Sequence, residues 1–418
     1  MEDLILWFSN STYGQYGYAI VSKYVVKGLR DHGFKVVCIG LQTLGRVIKD
    51  EYGNSNLPIA FDIWGSDAVE PYLKAFQPDI LVSMLDIWVK PLHYLPDTVR
   101  KYPAKWLHHA TISYAPISPI LIDLFSKADH LVAPSWFVFN ELSAVPVPRT
   151  YIPHGVNLKI YKKNKKARKE LRGELGYEDK FVFLTIGRNR MHQKGFASLF
   201  HAFRTLLVNK PELKDHVVLH CHAYPYEPDG INLVMVRDRM GLKDYVKFTC
   251  VKPSESLDRF EICNENNERA ILYQPNCGLL EEEMARLYNM ADCFVLATRG
   301  ESFCLPIIEA QACGLTCVMT GCSTAHELIS EPKTGLVAKV IADQVNPLIS
   351  SESIVDPTDL ACKMYEIYEN SELRRKFSRS AIRNAKNYSW DKVVPKWAEL
   401  MENLLVEDVS YEKGTLGL

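Results

Sequence analysis

Neither sign of charge dominates the 418-residue sequence: 49 Lys and Arg stand against 50 Asp and Glu, a net charge of −1. That balance argues against an overall electrostatic pull toward nucleic acid, and residues 1–157 carry no basic excess either. Long apolar runs are also missing, and none approaches the roughly 20 residues of a membrane-spanning helix. The first residues, Met-Glu-Asp-Leu-Ile-Leu-Trp-Phe, begin acidic and then turn strand-like, unlike a secretory leader. No Asp-x-Asp triplet occurs. Eleven cysteines are present but scattered, many in strand-like apolar runs (Cys38, Cys221, Cys293, Cys317). That pattern suits reduced core thiols in a cytoplasmic protein better than a disulfide framework. Cys313, Cys317 and Cys322 lack the paired spacing of a zinc site, so no metal is expected.

What is present is an alternation of elements. At 418 residues the chain exceeds what one hydrophobic core usually serves, so two domains are expected. Strands are read at Leu4–Ser9, Lys35–Gly40, Asp79–Leu85, Ala104–Thr111, Asp129–Ser135 and Thr150–Pro153. Helix-period segments lie near Tyr18–His32, Val69–Phe76, Pro119–Lys127 and Trp136–Ala144. The pattern restarts at Phe181–Ile186 and continues through Val217–His222, Val246–Cys250, a helix at Glu281–Met290, then Asp292–Thr298 and Thr316–Thr320. Short apolar strands separated by helices predict an α/β chain with doubly wound parallel sheets. Ligands of such sheets bind beyond the carboxyl ends of the strands.

One strand-to-helix turn carries the most chemistry: Gly300-Glu301-Ser302-Phe303-Cys304-Leu305-Pro306-Ile307-Ile308-Glu309-Ala310. Pro306 suits the first turn of a helix, where an N–H is not needed. The turn before it presents backbone amides and the positive end of the helix dipole, a cradle for phosphate. Glu301 in the loop and Glu309 one turn inside the helix can each accept hydrogen bonds from sugar or ribose hydroxyls. Alone, two acids eight apart also describe a capped helix with surface carboxylates. A second turn, Gly187 to Gly195, brackets its bend with Arg188 and Lys194, and cations there suit a diphosphate.

The run from Gly300 to Ala310, followed by Ala312-Cys313-Gly314-Leu315-Thr316-Cys317-Val318, resembles the Glu-x7-Glu signature of retaining GT-B glycosyltransferases of the family-4 type. The Gly-Arg…Lys-Gly turn is similar to that family's as well. The resemblance implies that Glu309 holds the donor ribose and Glu301 the donor sugar. It also implies that the backbone of Ser302, Phe303, Cys304 and Leu305 holds the diphosphate, and that Arg188 and Lys194 neutralise the leaving group. Cys304 stands where the family usually has Gly. Tyr151-Ile152-Pro153-His154-Gly155-Val156-Asn157 resembles the segment that ends the family's first domain, and Tyr388-Ser389-Trp390-Asp391 the one that starts its returning helix. The implied architecture is two Rossmann-like domains facing across a cleft: residues 1–157 on the acceptor side, 158–388 on the donor side, and a C-terminal helix, 389–418, crossing back to the first domain.

Several strand ends in residues 1–157 fit the acceptor side. Gly14, Gln15, Tyr16 and Gly17 follow the first strand and resemble the family's Gly-rich phosphate or acceptor loop; they are not a dinucleotide fingerprint. Asp86 follows the third strand. His108 and His109 end the next one, where the family places a histidine beside the reacting sugar. Side chains alternate along a strand, so one of the two should face the ligand, and His109 is the preferred catalytic residue. Lys162 to Lys169 is a basic run that reads as a solvated helix start and linker, and peripheral membrane contact is not indicated by charge. Residues 253–277 fit the pattern poorly and read as an insertion.

The expected function is transfer of a hexose from a nucleotide-diphosphate-sugar to a glycan, lipid-linked or small-molecule acceptor, with retention and without cofactor or obligatory metal. Alternatives are a nucleotide-sugar epimerase or phosphorylase of the same fold, and a non-catalytic nucleotide-sugar-binding protein.

Overall fold

The computed structural model describes residues 3–190, 192–254 and 259–415. Its contacts group into two compact units. One takes the residues up to Ile112, Ile117–Gly155 and the chain from Ser389 onward; the other takes Ser113–Pro116 and Val156–Tyr388. Ser113–Pro116 joins the second unit because Ala115 bridges Ser351 and the Ser350 hydroxyl donates to the Pro116 carbonyl at 2.8 Å.

In the first unit the strands are β1 (Leu4–Asn10), β2 (Lys35–Leu44), β3 (Ile48–Lys49), β4 (Ser55–Ile59), β5 (Ile80–Ser83), β6 (Lys105–His109), β7 (His130–Ala133) and β8 (Arg149–Tyr151). They form one sheet in the order β3-β4-β2-β1-β5-β6-β7-β8. All neighbours are parallel except β3 and β4. β1 buries every residue but its last. Its Leu-Ile-Leu-Trp-Phe run therefore shows no polar alternation, as expected of a strand covered on both faces. The chain winds from β1 out to β2 and β4, returns to β5, and winds the other way. β1 and β5 thus flank the switch point. The sequence reading missed β3, β4 and the helix Pro91–Val99. β3 has two residues, and that helix starts on one proline and holds another, Pro96, so neither gives a clean period.

The helix Trp390–Thr415 packs within this unit. Trp397 meets Trp7 edge-on at 5.4 Å, and Trp390 stacks on Tyr24 at 5.0 Å. Val394 lies so close to Gly28 that a Cβ there would come within 2.3 Å of it. Burial of two indoles and this close helix approach account for the docking of the Tyr-Ser-Trp-Asp segment.

The second unit holds β9 (Phe181–Ile186), β10 (Val217–His222), β11 (Val246–Phe248), β12 (Cys250–Pro253), β13 (Phe260–Cys263), β14 (Ile271–Leu272), β15 (Cys293–Leu296), β16 (Thr316–Thr320), β17 (Gly335–Ala338), β18 (Val340–Val345) and β19 (Ser351–Val355). The main sheet runs β11-β10-β9-β15-β16-β17, all parallel. Here β9 and β15 flank the switch point. Residues 253–277 are not a plain loop: β12 pairs antiparallel with both β13 and β14, and the polar stretch from Asn264 makes the turn between them. Residues 255–258 of that stretch lie outside the described residues.

All eleven cysteines are free thiols. Among the described residues, no helix is long and apolar enough to cross a membrane.

Candidate functional site

β15 ends at Leu296, and Ala297 to Cys304 carries the chain into the helix Leu305–Ala312. Pro306 lies in its first turn. Cys304 caps the helix with φ 93° and ψ 71°, the left-handed region that favours glycine. The backbone thus keeps a glycine-like conformation although the residue is cysteine. Its thiol is buried in the core with the Phe303 ring, which packs against Tyr388 at 5.7 Å. The side chains of Phe303 and Cys304 are therefore committed to packing. Ser302 and Leu305 are partly exposed.

The turn after β9 is knitted to this one. Gly195 sits at φ 61°, and a Cβ there would lie 1.8 Å from the Ala297 carbonyl oxygen. The Gln193 carbonyl accepts from the Arg299 N–H at 2.8 Å and from the Thr298 hydroxyl at 3.1 Å. This close approach delivers Lys194 to Glu301: Nζ donates to Oε1 at 2.6 Å and Oε2 at 2.9 Å. The Thr298 hydroxyl donates to Oε1 at 2.8 Å, and the Glu301 N–H donates to Ser323 Oγ at 2.9 Å. The carboxylate is 7% exposed and the lysine side chain 19%, so water screens the pair little. Arg188 is not brought to the same point. Its guanidinium faces Glu227 and Asp229, each at 3.4 Å, and is half exposed.

Glu309 lies one turn inside the helix. The Tyr288 hydroxyl, from the helix Glu281–Met290, donates to Oε2 at 2.6 Å. Desolvation pushes the Glu309 carboxyl up to about 7, and the bond from Tyr288 opposes that rise. Sequence reasoning missed Tyr288, Thr298, Ser323 and Tyr114. Tyr114 lies against Gly300, where a Cβ would come 2.6 Å from its ring and 2.2 Å from the Ser113 carbonyl. Burial raises its hydroxyl above the usual tyrosine value. Gly300 itself was the available signal, since a glycine before a cradle marks a close backbone approach.

In the first unit, Gly14, Gln15 and Tyr16 follow β1, and Gly17 opens the helix Gly17–Asp31. Gly14 is needed for space, because a Cβ would come 2.8 Å from the Tyr16 ring. The Tyr16 hydroxyl donates to Gln42 Oε1 at 2.5 Å. The Tyr18 hydroxyl donates to Asp86 Oδ1 at 2.5 Å, tying the first turn of that helix to the loop after β5. One histidine of β6 was expected to face a ligand. His108 and His109 are both wholly buried. His108 Nδ1 pairs with Ser83 Oγ at 2.8 Å. His109 Nε2 lies 3.2 Å from His154 Nε2, with its ring stacked against Trp397. Desolvation pulls His108 down to about 3 and His109 to about 4, so both imidazoles are neutral at pH 7. The His108 ring packs against Phe125 at 4.9 Å and Trp106 at 5.8 Å.

Among the described residues, no group of three or more His, Cys, Asp or Glu side chains could hold a metal ion.

Comparison with known proteins bears on the class. Residues 252–351 match the family described as glycosyl transferases group 1. The architecture is that of GT-B glycosyltransferases. Sucrose-phosphate synthase from Thermosynechococcus elongatus superposes with a TM-score of 0.74 at 16% identity, covering 97% of this chain and 100% of that one. HepE of Anabaena, solved with UDP and glucose, gives 0.69 at 17% identity over 95% of this chain and 99% of that one. In sequence, D-inositol 3-phosphate glycosyltransferase of Thermobispora bispora is 24% identical over 286 residues, 66% of this chain and 56% of that protein. The chain thus spans little more than half the length of that curated relative. Over residues 252–351, and in fold, the chain is thus similar to the group 1 glycosyltransferases, as the sequence led one to expect.

Proposed function

We propose that the protein transfers a hexose from a nucleoside-diphosphate sugar to an acceptor, with retention of anomeric configuration and without a metal. The observation that carries this reading is the pairing of Lys194 with Glu301 at the switch point between β9 and β15, beside the backbone turn that opens the helix Leu305–Ala312. Such a turn suits a diphosphate, a lysine beside it suits the leaving group, and a carboxylate beyond it suits the sugar. Glu309 suits the ribose. Arg188 reaches the leaving group only by leaving Glu227 and Asp229. Stabilising the departing diphosphate with fixed cations is an electrostatic route that substitutes for a divalent ion. The acceptor would lie against the loops after β1 and β5, with Asp86, Tyr16 and Gly14 among its neighbours.

HepE is bound to UDP in its solved complex, which favours a uridine donor here. A thermal-shift screen with UDP-, GDP- and ADP-sugars tests the reading, since a ligand that binds only the folded state raises its melting point. A UDP-sugar is expected to give the largest shift. No shift with any of the three would overturn the donor site. Transfer should survive EDTA, and NMR of the product should show the anomer of the donor.

A further inference from the structure

Away from the cradle, the second unit has a cavity of about 490 Å³ at the amino ends of β15 and β16. Its walls carry six cations: Lys163, Lys165 and Arg168 at the start of the helix Lys165–Leu175, and Arg374, Arg375 and Arg379 on the helix Ser371–Ala385. The one carboxylate in the lining is Asp292. It is already used, by Arg168, by Arg172 at 3.2 Å and by the Val182 N–H at 2.8 Å.

Two of the cations have structural work. Arg168 donates to the carbonyls of Asn289, Met290 and Ala291, and Arg374 to those of Ile367 and Tyr368. The other four do not. Lys163, Lys165, Arg375 and Arg379 are exposed, and no salt bridge engages them among the described residues. Arg375 and Arg379 stand four apart on one helix, a spacing at which like charges repel. A solvated face would spread such charges and intersperse acids. Here they converge on a concavity whose lining also includes Ala291, Leu315 and Ile382, in a chain whose net charge is −1. The volume lies within the roughly 300–1,000 Å³ of small-molecule sites.

We propose that this cavity binds a phosphate-bearing anion, either a phosphorylated metabolite or the phosphate headgroup of a lipid. Two guanidinium forks and two ammonium groups around a pocket match the oxygens of a phosphate ester. The site stands at the opposite end of β15 and β16 from the donor cradle, so it is a separate locus and does not depend on the donor reading.

The test is calorimetric titration of the purified full chain with inorganic pyrophosphate, alongside sedimentation with phosphatidylcholine vesicles that do or do not contain phosphatidic acid. Lys194→Ala serves as the control for the cradle. Binding of pyrophosphate is expected to weaken about tenfold or more in R375Q/R379Q, the loss of two charge-assisted bonds, and to persist in Lys194→Ala. The same arginine dependence seen only with phosphatidic acid vesicles identifies a lipid headgroup as the source. K163Q/K165Q must weaken the same binding, and it provides the check if the arginine variant fails to fold. Binding that survives both double substitutions, or no binding to either probe, overturns the proposal.

Discussion

The ammonium of Lys194 lies 2.6 and 2.9 Å from the two carboxylate oxygens of Glu301. The cation suited to the diphosphate is thus paired with the acid suited to the sugar. On the proposed reading, an incoming phosphate would compete for the same ammonium.

Breaking one side of this pair leaves the other charge unpaired and largely buried. Lys194→Met is expected to lower the unfolding free energy by about 3 kcal/mol. The double variant Lys194→Met/Glu301→Gln is expected to lose less than the sum of the two single changes. Urea unfolding of the four proteins checks this, and strict additivity would show that the pair contributes no coupling. In transfer assays, Lys194→Ala should depress kcat more than it raises the donor KM, because its charge is used most as the diphosphate departs.

Glu301→Ala separates the two ends of the donor. On the proposed reading it removes the sugar contact and releases Lys194 from its carboxylate partner. Affinity for the sugar nucleotide and kcat should fall, while affinity for the bare nucleoside diphosphate should hold or rise. Loss of a near-attack geometry makes catalysis the more sensitive measure. Equal weakening of both ligands in calorimetry would place Glu301 at the wrong end.

Glu309 makes a pH prediction. Its carboxyl titrates near 7 when folded, against 4.5 for the free group. The folded state therefore holds this proton more tightly than the unfolded chain. The stability that this contributes is complete below about 4.5 and is lost as pH rises through about 7. Glu309→Gln should flatten that part of the stability profile. The ribose contact calls for the ionised form, so nucleoside diphosphate affinity, taken as wild type minus Glu309→Gln, should fall as pH drops below about 7. An unchanged difference from pH 6 to 8 would show that this carboxyl does not govern binding.

Gly195→Ala tests the seam between the two turns. The backbone is left-handed there, and the added carbon would meet the Ala297 carbonyl at 1.8 Å. A loss of about 2 kcal/mol or more is expected, with donor affinity reduced because Lys194 is displaced. Wild-type stability by urea unfolding would contradict this account.

Much of this could be read in the sequence, for identifiable reasons. Parallel strands buried on both faces leave apolar runs, so Phe181–Ile186, Val217–His222 and Thr316–Thr320 were legible to the residue. Pro306 marks a helix start by local chemistry, and it lies in the first turn of the helix Leu305–Ala312. The antiparallel strands β13 and β14 were not legible, since neither is a wholly buried apolar run like β5 or β15.

The sequence by itself determined the alternation of elements, the phosphate-suited turn and the identity of its acids and cations, because these rest on neighbours in the chain. The tertiary structure alone decided which of them meet. It brought Lys194 to Glu301 through the close approach at Gly195, supplied Tyr288 to Glu309 from another helix, and turned Arg188 toward Glu227. It also sealed His109 against His154 and Trp397, which strand alternation could not foresee. Alternation says which face a side chain takes, and only packing says whether that face is open.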